Sequence, residues 1–343
     1  MDETTYEDSG VSIDSGNELV KRIKPLVEST YDSRVLTELG GFSGLYGLGS
    51  MGLEDPVLVS STDGVGTKLK IAFMSGRHDT VGIDLVAMSV NDILVQGARP
   101  IFFLDYIACS KLVPETIQEI VKGVAAGARL SGCALLGGET AEMPGFYQEN
   151  EYDLAGFAVG VAERGKIIDG SMVALGHKVI AVGSSGLHSN GYSLARKIIF
   201  EKMGLKIDSP LLDSTVAEAL LIPTKIYVKP VLAALRRAEI HAMAHITGGG
   251  LTENLPRVLP NGCRAVIEKN SWEIPPIFEL LRREGNVQDG EMRRVFNMGV
   301  GYVLVAAPSQ VETIVSAFQD HGERAMVIGT VEKMTDRERL TYV

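Results

Sequence analysis

Cysteine is scarce in this chain. Cys109, Cys133 and Cys263 are scattered singly among 343 residues, with no CxxC or CxxH spacing. That argues against a disulfide framework and a thiolate zinc site, and fits a reducing cytosol. Long apolar runs are missing too, since none reaches the ~18 residues that a membrane helix needs. The acidic, polar stretch Met1 to Ser9 does not resemble a signal peptide. Positive charge is in deficit: 33 Lys and Arg against 43 Asp and Glu leave a formal charge of -10. Nucleic acid and anionic membranes are therefore poor partners. The chain has no repeats, low-complexity tract or charge block. A cytoplasmic protein is expected.

What is present is apolar material and glycine. The chain is 45% hydrophobic and carries 38 glycines. A prior of ~150 residues per domain suggests two domains. The polar, glycine-bearing stretch 163–176 reads as their boundary, which gives residues 1–168 and 169–343.

The most informative stretch is Ser60-Ser61-Thr62-Asp63-Gly64-Val65-Gly66-Thr67-Lys68. An apolar run enters it and a short β-like run, Leu69 to Phe73, leaves it, so it reads as strand, glycine corner, strand. Gly64 and Gly66 allow close backbone approach to a ligand. Asp63 offers oxygens to a hard cation such as Mg²⁺. Thr67 and Lys68 offer donors and positive charge to phosphate. The GxxxxGK[ST] spacing of a Walker A loop is absent. A polar hairpin with a solvated Asp and Lys is the alternative.

Upstream lie a polar arm, residues 6–17, and a helix with Leu19, Val20, Ile23 and Val27 at helical spacing. Lys24 sits on its wetter side, as a solvated charge or a nucleotide contact. The loop Gly40-Gly41-Phe42-Ser43-Gly44 is an ordinary turn or a phosphate cover. Downstream, residues 79–96 form an amphipathic helix. Its polar line carries Asp84, Asn91 and Asp92, a hydrated face or a source of metal oxygens. The strand 101–108 is interrupted by Asp105, a carboxylate that must end the strand or find a partner. A helix at 114–131 precedes a short strand, 133–136, running into Gly137-Gly138-Glu139-Thr140. That repeats the earlier logic of strand, glycines, carboxylate and threonine.

In the second half, a glycine loop with His188, Ser189, Asn190 and Gly191 stands between a strand and a helix. Thr247-Gly248-Gly249-Gly250 stands likewise, after a strand ending near His245. Such loops can present amides to an anion at a helix N-terminus. Phosphate outweighs a plain turn for the triple glycine. The histidines are proton-transfer candidates or hydrogen-bond fixtures.

Together these motifs resemble the phosphoribosylformylglycinamidine cyclo-ligase family, the aminoimidazole ribonucleotide synthetases of purine biosynthesis. The resemblance rests on Tyr6-x-Asp8-x-Gly10-Val11, Thr62 to Lys68, Gly82-Ile83-Asp84 with Asn91-Asp92, Gly137 to Gly145, His188 to Ser193 and Ile246 to Gly250. It runs from Tyr6 to near the C-terminus. One departure is Ser12, where an Asp is expected.

The resemblance implies an α/β (α+β) fold in two domains. The N-terminal mixed sheet would pair across a homodimer, and a C-terminal α/β domain would follow. It implies Mg²⁺ on Asp63, Asp92 and Glu139. It implies ATP contacts from Lys24, Asp63, Gly64, Gly66, Thr67, Lys68, Asn91, Asp92, Gly138, Glu139 and Thr140. Ser189, Asn190, Gly191 and Thr247, Gly248, Gly249, Gly250 would hold the ribose phosphate of formylglycinamidine ribonucleotide. Lys68, His188 and His245 are the catalytic candidates. The implied reaction activates the formyl oxygen by phosphorylation, after which the amidine nitrogen closes the imidazole ring. The alternatives are another kinase or synthetase of the same ATP-binding superfamily, or a catalytically silent scaffold. A selenophosphate synthetase usually carries a reactive N-terminal Cys or selenocysteine, and no Cys precedes Cys109.

Overall fold

A computed structural model describes residues 12–40, 43–49, 51–335 and 337–343. Most of the expected N-terminal arm, and Gly41 and Phe42 of the first glycine loop, lie outside the described residues.

The N-terminal half begins with α1 (Ile13–Glu28). Ser12 caps it, its Oγ accepting the Ser15 amide at 3.3 Å. Ser and Asp are near-equivalent N-caps, so the departure at Ser12 keeps the cap. Four strands follow: β1 (Pro56–Gly64), β2 (Arg99–Cys109), β3 (Ala134–Glu142) and β4 (Tyr152–Glu163). Between them lie α2 (Leu69–Ser75), α3 (Val81–Leu94) and α4 (Pro114–Ser131). The sheet runs β1-β4-β2-β3. Its β2–β3 pair is parallel and its other pairs are antiparallel.

Helices α3 and α4 cover one face of this sheet. On the other face, Leu58, Tyr106 and Phe157 are 58%, 42% and 41% exposed.

The expected strand after Lys68 is instead α2. Leu69, Ile71 and Ala72 turn into the core, and Gly76 ends the helix at φ 65. A short apolar run fits either structure, and tertiary packing decides it. The glycine stretch of residues 137–142 is not a loop beyond a strand but part of β3 itself. Asp84 and Asn91 are not on a hydrated face. In α3 all residues but Ile83 and Asp92 are buried, because the second domain covers the helix.

That second domain carries β5 (Lys178–Gly183), α5 (Tyr192–Arg196), a two-residue hairpin β6 and β7 (Pro210–Leu211, Ser214–Thr215), α6 (Val216–Leu220) and α7 (Val228–Leu235). Then come β8 (Ala242–His245), α8 (Gly250–Asn254), β9 (Cys263–Ile267), α9 (Pro276–Gly285), α10 (Asp289–Val295), β10 (Val300–Ala306), α11 (Val311–Gln319), β11 (Ala325–Lys333) and β12 (Leu340–Tyr342). Its six-stranded sheet runs β12-β9-β11-β5-β10-β8. Helix α7 packs on α3 and α4, so one apolar core continues from domain to domain. The fold is thus mixed α/β in two domains.

Candidate active site

The end of β1, the last turn of α3 and the end of β8 converge where the domains meet. Asp63 Oδ1 accepts the Gly64 amide at 2.7 Å. Asp92 Oδ1 lies 2.8 Å from His245 Nδ1, and Ser61 Oγ lies 3.5 Å from Asp92 Oδ2. Burial pushes the Asp63 carboxyl above its ordinary range. The Gly64 amide opposes this, and the negative charge of Asp92 adds to it. Two carboxylates therefore share one partly dry site. His245 turns its Nδ1 to Asp92, while its Nε2 is enclosed without a partner among the described residues.

Three expected ligand-binding stretches meet at this junction. Thr67 Oγ1 lies 3.2 Å from Ser193 Oγ. The Gly248 amide donates to Asn190 Oδ1 at 2.9 Å, joining the two glycine loops of the second domain. Asn190 Nδ2 is enclosed and unpartnered among the described residues.

Several expected roles are corrected. Lys68 is wholly buried, and its Nζ donates to Asp84 Oδ1 (2.9 Å), Ile222 O (2.7 Å) and His188 O (3.1 Å). An ammonium has three protons, so no donor remains for phosphate. Asn91 is equally committed, donating to Lys225 O at 2.8 Å and accepting the Tyr227 amide at 3.0 Å. Ser189 Oγ bonds Asp84 Oδ1 at 3.2 Å and Thr224 Oγ1 at 2.9 Å. These three side chains fasten the domains together.

His188 is 1% exposed, and its Nε2 accepts the Ser185 amide at 3.2 Å. Burial drives its pKa well below the usual value, so it stays neutral. It is a fixture rather than an accessible base.

The triple glycine has a structural cause. Gly249 and Gly250 adopt φ 98 and 60, and a Cβ on Gly250 would stand 2.0 Å from Arg293 O. The Thr247 amide goes to Asn254 Oδ1 (2.6 Å) and the Gly250 amide to Thr247 O (3.0 Å). With the Gly248 amide also taken, the expected fan of free amides is not there.

Glu139 does not join Asp63 within one chain. Strands β1 and β3 are opposite edges of the sheet, three strand spacings or about 14 Å apart. Gly138 shares a cross-strand row with Asp63, so Glu139, one residue on, points to the other face. Lys24 pairs with Glu38 at 2.9 Å and with Glu28 at 3.6 Å, half-exposed on α1.

Glu139 instead lines a second feature, a cavity of ≈ 780 Å³ between α1 and β3. Gly138 and Thr140 line it as well. So does Asp105, which the sequence marked only as a carboxylate in need of a partner.

Of the domain-fastening residues, Thr224 escaped the sequence reading, and Asp84 was marked there on a polar helix line, not as a tie between domains. Their signal was weak: a carboxylate on a helix that is apolar nearly all round.

Comparison with known proteins completes the picture. Residues 50–162 match the AIR synthase related protein N-terminal domain, and residues 175–340 match the corresponding C-terminal domain. The phosphoribosylformylglycinamidine cyclo-ligase of Trichlorobacter lovleyi is 58% identical over 336 residues, covering 97% of this chain and 96% of its own. This chain belongs to the phosphoribosylformylglycinamidine cyclo-ligase family. Other members are similar over the same extent. That of Geotalea daltonii is 59% identical over 331 residues, covering 96% of this chain and 95% of its own. That of Syntrophus aciditrophicus is 52% identical over 334 residues, covering 97% and 96%.

The family fold extends to more distant solved structures. A thiamine-monophosphate kinase from Stenotrophomonas maltophilia K279a superposes with a TM-score of 0.68 at 18% identity, covering 94% of this chain and 95% of that one. The hydrogenase maturation protein HypE in complex with ATP also gives 0.68, at 16% identity, covering 98% and 93%.

Proposed function

We propose that this chain converts formylglycinamidine ribonucleotide to aminoimidazole ribonucleotide in the cytoplasm, consuming ATP and releasing ADP and phosphate. The observation that carries this is full-length identity of 52–59% to relatives bearing that enzyme's name. Use of ATP is also supported by the ATP in the HypE structure named above.

The chemistry sets the demands on the site. The formyl amide oxygen is a poor leaving group. Transfer of the γ-phosphoryl group to it makes an iminophosphate, and the amidine nitrogen then attacks the adjacent carbon. Phosphate leaves and the ring is closed. Such a reaction needs positioning and charge stabilisation more than covalent help from the protein.

Asp63 and Asp92 fit Mg²⁺, which is usually held by one or two carboxylates with phosphate oxygens and waters. The ion would offset phosphate charge there. His245 holds Asp92 in orientation through the 2.8 Å bond. Thr67 and Asn190 sit where the two domains would grip the nucleotide and the substrate.

A homodimer belongs to this reading. Leu58, Tyr106 and Phe157 leave one sheet face apolar and open, and a second copy of that face would cover it.

The test is direct. Purified protein should consume ATP only when formylglycinamidine ribonucleotide is present, with one phosphate released per ring formed. Equal ATP consumption without that compound, or with thiamine phosphate in its place, would reject the assignment.

A further inference from the structure

The cavity along β3 has an unusual charge. Its described lining includes the acidic residues Glu38, Asp105 and Glu139, and no Lys, Arg or His. The rest is mostly apolar side chains and glycines, among them Leu19, Ile23 and Val27 of α1 and Leu135 and Leu136 of β3. A phosphate would be repelled here, whereas a flat, donor-rich group would be held.

Asp105 is one of the acidic residues lining this cavity. It stands mid-strand in the cross-strand row Asp63–Gly156–Asp105–Gly138. No side chain among the described residues bonds it. Gly138 clears its space: a Cβ there would stand 2.3 Å from Asp105 Oδ1. Glycine inside a strand weakens it, so a glycine beside a carboxyl that no side chain bonds marks a place kept open.

We propose that Asp105 binds an amidine edge, two nitrogens across one carbon, by a pair of parallel hydrogen bonds in this cavity. The inference rests on the function proposed above, in which two molecules carry that edge. One is the substrate, through its own amidine. The other is ATP, through N1 and the N6 amine of adenine.

The carboxyl suits either source. Burial pushes it up to about 7, so acid and carboxylate forms are both available near neutrality. The acid presents a donor beside an acceptor, which matches the neutral edge of adenine. The carboxylate presents two acceptors, which match a cationic amidinium. Glu139 also lines the cavity and favours the cation, while Glu38 is paired with Lys24. Asp63 lies two strand spacings away in the row, and Lys24 is drawn off by Glu38 and Glu28.

The experiment is calorimetric titration of the full chain with Mg²⁺–ATP and, separately, with formylglycinamidine ribonucleotide. Wild type, Asp105→Asn and Asp105→Leu are compared after their folding is checked by thermal unfolding. Asp105→Leu should weaken one ligand at least ~10-fold and leave the other within ~3-fold. If the edge is adenine's, ATP is the ligand weakened, and Asp105→Asn restores it because an amide also offers a donor beside an acceptor. If the edge is the substrate's amidinium, the substrate is weakened in both variants. Unchanged affinities for both ligands in a folded Asp105→Leu protein overturn the proposal. Failure of the wild type to bind either ligand would overturn the proposed function itself, a distinguishable result.

Discussion

Lys68 Nζ lies 2.9 Å from Asp84 Oδ1, and neither side chain reaches solvent. The pair is the centre of a knot between the domains. Asp84 Oδ1 also accepts the Thr224 amide (2.6 Å) and the Thr224 hydroxyl (2.7 Å), and bonds Ser189. A lysine expected to meet phosphate is thereby a rivet, holding the Thr67 turn beside the loop of residues 188–193.

Lys68→Met should therefore destabilise the fold. Removing one partner of a buried ion pair leaves an uncompensated charge, costing about 3–5 kcal/mol. Urea unfolding measures this directly. A phosphate-binding lysine would instead give unchanged stability and a raised KM for ATP.

Asp63→Asn should cut turnover at least ~100-fold while the protein stays folded. Its carboxyl is raised by burial, and Asp92's charge adds to this. Between the unfolded and the folded pKa, the folded state holds a proton that the unfolded chain has released. Stability contributed by that proton is present at low pH and lost as pH rises through the folded pKa. The amide should leave stability at pH 8 unchanged or higher, as read by thermal unfolding. Near wild-type turnover would remove Asp63 from the metal site.

Asp105 makes the same argument with a wider window. Its folded carboxyl titrates at about 7, against ~4 when unfolded. Stability should fall between those two pH values, by on the order of 2–4 kcal/mol, and level off above. Unfolding curves of Asp105→Asn should lack this component. Parallel pH profiles for variant and wild type would show that the carboxyl is not perturbed.

Phe157→Lys places a charge on the open sheet face, where Phe157 is cross-strand neighbour to Leu104 and Thr62. Wild type should sediment as a dimer at micromolar concentration and the variant as a monomer. A wild-type monomer would remove the dimer from the proposed function.

Gly249→Val tests the triple glycine. Its φ of 98, and a Cβ position 2.8 Å from Glu253 Cβ, forbid a branched side chain without strain. About 1–3 kcal/mol of stability should be lost. Substrate affinity in the folded fraction should stay within ~3-fold. A selective rise in the substrate's KM would restore the phosphate role that the engaged amides argue against.

The sequence by itself determined the family, the two-domain α/β class and many of the elements. The helix at residues 114–131 stands in the structure at the bounds read from periodicity. It also marked Asp63, a carboxylate beside glycines, and Asp92, on the polar line of a helix, as oxygens for a cation. Only the tertiary structure decided which polar groups are free. Lys68, Asn91 and Ser189 read as site residues because their sequence neighbours do, yet their partners lie 16 to 154 positions away. Asp105 was legible as a problem, a charge in an apolar strand, and not as an answer. Its cavity is made by α1, a segment far off in the chain, and by the missing side chain of Gly138. Hydrogen-bond satisfaction is settled by contacts distant in sequence, and local pattern carries no record of them.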